Sequence, residues 1–426
     1  MPKNSKNLID AADDTDSFRS TTSESESSRG KNNKNNEPKD VEEQPIPCLK
    51  QSPDGQSHWS ILPVGLAMGA VFGFALQKGE VYLPMRIANQ FTLRDFTMLK
   101  MFLSASVTSS LVFSVGYLLV PDHFKAMRSS CSGERKTLKE TATGAGLLGV
   151  GMAVAGSCPG NVLVQIGSGL VPAFLIFACG LFGAFLYGIL EGHGIPKKIF
   201  GRLPDKTCFV DQHTKQNYLK LIIPLSILLI VVIALVEYFF PYYVPPRSGT
   251  VFEYTSWSPI LAGVIVGLLQ FPGLLFVKRS IGSSSAYVAI VAQPFRLIPS
   301  FLDRYPYLKK ASSGIDNMWQ PLYLVGAVGG AMLSAGLSGR LAWRTSTDDK
   351  LGALPLGFCA IGGFLMVFGS RMGGGCTSGH GLSGFAHLSL NSLIATCVMF
   401  GTGIITGLIL YYADAYPPFI YGSLKF

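Results

Sequence analysis

Charge is scarce in this chain. Asp, Glu, Lys and Arg make up 14% of its 426 residues, against 48% hydrophobic types, a balance that belongs to polytopic membrane proteins. A formal net charge of +9 does not point to nucleic acid, because the Lys and Arg residues fall in short connectors between apolar runs, where they orient spans in a bilayer. No two of the eight cysteines form a C-x-x-C pair, and several lie inside apolar runs, so neither a disulfide framework nor a zinc site is supported. A Walker loop and other nucleotide signatures are also missing. No cofactor is implied.

Apolar side chains are few at the start as well. Residues 1–58 are dominated by Ser, Asn, Asp, Glu and Lys and cannot repay the entropy of ordering, which predicts a disordered tail. The tail lacks the short apolar core of a signal peptide, so the first span is expected to direct insertion.

What is there is a series of nine apolar runs near bilayer length, at about 61–77, 97–120, 141–157, 170–190, 219–240, 258–277, 321–341, 352–369 and 388–412. The predicted fold is therefore an all-α polytopic membrane protein of about nine transmembrane helices. Shorter apolar pieces, such as Ala286–Ala292, cannot cross alone and are expected to dip in and return. The halves repeat: a shift of 218 superposes Cys158 on Cys376, Gly151 on Gly369, Cys179 on Cys397 and Gly183 on Gly401, and a shift of 198 superposes Trp59-Ser60 on Trp257-Ser258 and Gly65 on Gly263. Two four-span repeats, 59–190 and 258–412, are expected, joined by a linker (191–257) that holds the lone span 219–240 and followed by a short tail, 413–426. Five spans separate equivalent positions, an odd number, so the repeats are expected to lie inverted, as in many transporters. The excess of basic connectors on the tail's side predicts a cytosolic N-terminus.

Two glycine-rich stretches interrupt these runs: Ala155-Gly156-Ser157-Cys158-Pro159-Gly160-Asn161 and Gly373-Gly374-Gly375-Cys376-Thr377-Ser378-Gly379-His380-Gly381-Leu382-Ser383-Gly384. At membrane depth, non-helical backbone survives only where protein or a water-lined cavity satisfies its polar groups, so both are expected to be broken, re-entrant loops facing the interior. Glycine allows close approach of backbone to a ligand. Thr377, Ser378 and the glycines after them can start a short helix whose free N–H groups favour an anion. No Lys or Arg lies near Cys158, and Arg371 alone lies near Cys376. A pathway needs binding weak enough to release. A neutral thiol meets that need, as a weak S–H donor to an oxyanion or to a terminal sulfur, which matches it better in softness. The constellation points to a sulfur-bearing anion without identifying one.

The pair formed by Gly-Gly-Gly-Cys376-Thr-Ser-Gly-His380-Gly-Leu-Ser-Gly and Gly156-Ser157-Cys158-Pro159-Gly160 resembles the YeeE/YedE family of sulfur-transport membrane proteins over about residues 59–412. That resemblance implies a nine-span inverted repeat and a thiosulfate permease in which loop cysteines pass the anion along by S–H···S hydrogen bonds, roles that fall on Cys158 and Cys376. The candidate pathway residues are Cys158, Cys376, Gly156, Gly160, Gly375, Thr377, Ser378, Gly379 and His380. Many bacterial members carry a further cysteine after the first span, but 76–84 has none here. The corresponding stretch of the second half, 280–285, supplies serines that can either line an entrance or cap a helix. The alternatives to a permease are a membrane thiol enzyme that carries sulfur as a persulfide, for which His380 is the one evident base, and a membrane partner of a soluble sulfurtransferase.

Other residues have plainer readings. Cys179, Cys359 and Cys397 lie within spans and read as small hydrophobes, and Cys48, Cys131 and Cys208 lie in polar regions with no specific task. His380 beside a glycine turn reads as local support, with anion binding or protonation gating as its functional alternative. Arg371 reads as an interfacial anchor, with attraction of anions to the mouth of the pathway as its functional alternative. The spacings Gly65-x-x-x-Gly69 and Gly326-x-x-x-Gly330 predict close helix packing.

Overall fold

A computed structural model of the chain describes residues 59–132, 136–201, 209–242, 256–342 and 353–415. The polar tail 1–58, Cys48, Cys208 and residues 416–426 lie outside the described residues, as does the side chain of Cys131. The described chain is helical. Its first half runs α1 (Ile61–Lys78), α2 (Pro84–Phe91), α3 (Thr97–Leu119), α4 (Pro121–Ser132), α5 (Leu138–Ala155), α6 (Asn161–Gly167) and α7 (Pro172–Gly192). Two short helices, α8 (Ile195–Phe200) and α9 (Val210–Thr214), lead to α10 (Tyr218–Phe239). The second half runs α11 (Pro259–Leu268), α12 (Gln270–Pro272), a π-helical turn over Gly273–Val277, α13 (Ser284–Ala292), α14 (Pro299–Arg304), α15 (Pro306–Ser312), α16 (Ile315–Leu337), α17 (Ala353–Gly373), a π-helical segment over Ser378–Gly384 and α18 (Leu390–Tyr412). Among the described residues the one β-type pairing is an isolated antiparallel bridge between Phe209 and Ser389.

Eight of these segments are long and apolar enough to cross a membrane. The stretch expected as a ninth span, 141–157, is helical as α5, 18 residues long, but α5 is not among those eight: its first turn carries Lys139 and Glu140 and its body is rich in glycine, which lowers its hydropathy. Local chemistry sets several ends: Thr137 accepts a hydrogen bond from the Glu140 N–H at the start of α5, and Ser389 does the same for Ser392 at the start of α18. Proline opens α7 and α11, where its missing N–H costs nothing. The apolar run 258–277 is not one continuous α-helix: it breaks after Leu268, passes through α12 and ends in the π turn, with Lys278 in the left-handed region at φ 53°.

Helix boundaries in the two halves fall at the offsets noted above. The starts of α1 and α11 differ by 198, while those of α3 and α16, and of α7 and α18, differ by 218. The starts of α2 and α13 differ by 200, and the rest of the change to 218 falls between α13 and α16, where the second half inserts α14 and α15. Packing pairs exchange in the same way: α1 lies on α16 as α11 lies on α3, α7 on α17 as α18 on α5, and α2 on α18 as α13 on α7. The two halves are thus interleaved, and α5 and α17 meet face to face between them.

The glycine spacings do pack closely. Gly65, Gly69 and Gly73 of α1 face the backbone of Trp319, Tyr323 and Ala327 on α16, and Gly326 and Gly330 of α16 face Leu66 and Ala70 of α1. A Cβ at any of these glycines would collide with the opposite backbone, so only small residues let the two axes approach this far. This contact places Tyr323 in the interior, 2% exposed.

Candidate functional site

The site begins where α5 and α17 stop. Each helix ends on a glycine with positive φ, Gly156 at 57° and Gly374 at 83°, a conformation that an L side chain adopts only with strain. The turns that follow are alike. Ser157 N–H donates to Met152 O at 3.4 Å and Gly375 N–H to Ser370 O at 2.9 Å, while the cysteine carbonyls accept from Val162 N–H at 3.1 Å and His380 N–H at 2.8 Å. Each cysteine therefore stands at the foot of a seven-residue helical segment, α6 or the π segment. Cys158 is half-buried and Cys376 is 1% exposed.

The two thiols lie within electrostatic reach of one another. Both are also within reach of the hydroxyls of Tyr287 and Tyr323. Tyr287 donates to the Pro159 carbonyl at 2.8 Å and so ties α13 to the first loop. Around Cys376, Ser378 Oγ sits 3.2 Å from the thiol, and the Thr377 hydroxyl donates to the thioethers of Met152 (3.1 Å) and Met399 (3.4 Å). Gly375 packs on the imidazole of His380, whose Nε2 would lie 2.9 Å from an added Cβ. His380 Nδ1 is 3.1 Å from Ser392 Oγ, which ties the ring to α18.

Gly160 is held open for Ser283, whose Oγ would lie 2.9 Å from a Cβ there, beside the ring of Phe72. Gly379 faces Gly282, where an added Cβ would stand 3.8 Å from Gly379 Cα. The start of α13 thus meets both cysteine loops, and the geometry brings all nine candidate residues into one region. Gln165 braces the first loop through Gly156 O (3.1 Å) and Tyr82 O (2.9 Å), and Gln270 braces the second through Ser383 Oγ at 2.7 Å.

The serines of 280–285 divide. Ser284 and Ser285 accept from Arg371 at 3.3 and 3.2 Å, Ser280 contacts His387 Nε2 at 2.9 Å, and Ser283 makes no capping hydrogen bond at the start of α13. Arg371 is not the expected interfacial anchor. It is 3% exposed, and Tyr307 Oη also accepts from its Nε at 2.9 Å. The guanidinium is inside because α13 and α15 cover the end of α17, an enclosure that hydropathy does not register. Among the span cysteines, Cys359 is buried and Cys179 half-buried, as small hydrophobes in packed helices, but Cys397 is exposed.

Sequence reading missed Tyr287, Tyr323, Met152 and Met399. A signal for Tyr323 was present: 218 positions earlier the first half has Ala105, so a bulky hydroxyl replaces a methyl at one of two matched places.

A helical, membrane-spanning chain with paired broken helices around an enclosed polar centre is of the transporter class. It belongs to the sulphur transport family, whose family model matches residues 78–406, and is accordingly a membrane transporter for sulfur anions. The chain is 26% identical over 350 residues to the thiosulfate transporter TsuA of Spirochaeta thermophila, an alignment covering 78% of this chain and 94% of that protein. It is also 29% identical over 152 residues to a probable transporter of Xylella fastidiosa, covering 35% of this chain and 91% of that one.

Proposed function

We propose that this chain is a permease for thiosulfate or a related small sulfur anion, which passes between Cys158 and Cys376 as weak, neutral hydrogen-bond donors. The supporting observation is that two thiols 218 residues apart in sequence stand within electrostatic reach of each other, each in a loop that glycine opens. Thiosulfate is what the TsuA relative is named for, and its terminal sulfur matches a thiol in softness. Two inverted repeats, 59–190 and 258–412, would carry one loop each, joined by 191–257, with the N-terminus in the cytosol. The exchanged packing pairs support the pairing of the two halves, and the excess of basic connectors on the tail's side supports the orientation. A soluble sulfurtransferase is the class of partner that would take the anion after passage.

The test is uptake of radiolabelled thiosulfate into proteoliposomes. Wild-type protein should exceed empty vesicles, and Cys158→Ser and Cys376→Ser should each lower uptake by about tenfold, the loss of about 1.4 kcal/mol of contact with the anion. Serine keeps a hydroxyl at nearly the same place, so the variants probe softness rather than bulk. The proposal fails if wild-type protein moves no sulfur anion under any imposed gradient, or if both serine variants retain wild-type rates.

A further inference from the structure

We propose that the hydroxyls of Tyr323 and Ser283 form a donor site that holds the oxygen end of a sulfur oxyanion while the cysteine thiols take its sulfur end. This rests on the permease reading and names how the substrate is oriented. Both hydroxyls are enclosed, Tyr323 at 2% and Ser283 at 0% exposure, and neither oxygen has a hydrogen-bond partner among the described residues. Leaving a buried polar group unsatisfied costs about 1–3 kcal/mol, and native proteins tolerate few such groups without a reason. These two sit where a ligand would satisfy them: Ser283 Oγ lies against Gly160, two residues beyond Cys158, and the ring of Tyr323 packs 5.4 Å from that of Phe72, the ring that also borders Gly160, with the Tyr323 hydroxyl within electrostatic reach of both thiols.

The site is one-sided. At the offsets of the flanking helices, 218 for α3 and α16 and 200 for α2 and α13, the first half has Ala105 opposite Tyr323 and Leu83 opposite Ser283, and neither side chain can donate a hydrogen bond. The cysteine loops repeat while the hydroxyls do not. An anion with two unlike ends is thereby given one orientation, oxygens toward α13 and α16. Neutral hydroxyls hold it without the trap that a bare guanidinium would make. The chemical class is a small tetrahedral oxyanion bearing a terminal sulfur: sulfate lacks the soft end, and hydrosulfide lacks the oxygen end.

The experiment measures equilibrium binding of radiolabelled thiosulfate to purified full-length protein, together with the melting temperature without ligand, for wild type, Tyr323→Phe, Ser283→Ala and Cys376→Ser. Tyr323→Phe should weaken binding by about tenfold, equivalent to about 1.4 kcal/mol, and Ser283→Ala by several-fold. The ligand-free melting temperature should stay level or rise in both, because each change removes an unpartnered buried oxygen. A merely structural hydroxyl would leave affinity unchanged, or would lower affinity and melting temperature together, and either result overturns the proposal. Wild-type affinity in Tyr323→Phe alongside weakened binding in Cys376→Ser would sink the hydroxyl site and leave the permease reading standing. No thiosulfate binding to wild type would overturn both.

Discussion

Gly379→Ala separates the fold of the second cysteine loop from its use. The added methyl has one heavy atom within 4 Å, Cys376 Sγ at 3.9 Å, which is ordinary van der Waals contact. Gly379 lies in the π-helical segment Ser378–Gly384 and is not among the residues with positive φ. Alanine therefore fits without strain, and restricting the unfolded chain should stabilise the protein by about 0.4–1 kcal/mol. The methyl nevertheless occupies the space beside the thiol. An anion approaching Sγ would be held off by roughly a methyl radius and would lose a hydrogen bond of about 1 kcal/mol, so uptake should fall between fivefold and tenfold. Proteoliposome uptake measures the loss, and the melting temperature in detergent, level or raised, measures the intact fold. Gly401→Ala, with nothing within 4 Å of its Cβ, is the control and should transport normally. Wild-type uptake by Gly379→Ala with an unchanged melting temperature would refute the placement of Cys376 on the pathway.

Two further outcomes follow from the same geometry. Alanine at Gly374 or Gly156, where φ is 83° and 57°, forces a left-handed L residue at a cost of about 1–2 kcal/mol, so both variants should melt lower than wild type and Gly401→Ala should not. His387, in the connector ahead of α18, is fully enclosed, and burial, reinforced by the nearby Arg128 guanidinium, pushes its pKa from 6.5 down to about 3. Between those values the unfolded chain binds a proton that the folded chain refuses, so stability rises with pH across that window and is lost as pH falls from 6.5 toward 3. Melting curves of wild type and His387→Gln should diverge on acidification, with the variant less sensitive; parallel curves from neutral to acid pH would refute the assignment.

Much of the architecture was legible because it depends on local pattern. Apolar runs near bilayer length became helices at nearly the expected bounds, and the small-residue spacings became the α1 and α16 contact. The glycine-cysteine loops were visible because a run of glycines cannot continue a helix. Less legible was α5, whose charged first turn and glycines dilute its hydropathy although it is an unbroken helix. The break in 258–277 was also hidden, since Gln270 and Pro272 sit in a run whose mean hydropathy is that of a continuous span and composition does not register a change of hydrogen-bond pattern. Arg371 was misread because a cation near a span end looks interfacial until α13 and α15 are seen to cover it.

By itself, the amino-acid sequence determined the all-helical membrane architecture, the two matched cysteine loops and the repeat offsets, because hydropathy, helix period and glycine content act within a segment. Tertiary structure alone decided that Cys158 and Cys376 come within electrostatic reach of each other, and that Tyr323 and Ser283 bury hydroxyls without a hydrogen-bond partner among the described residues. Those facts follow from interleaved halves, in which α16 lies on α1 and α13 meets both loops. Contacts between residues more than a hundred positions apart are set by how helices pack, and no local pattern encodes them.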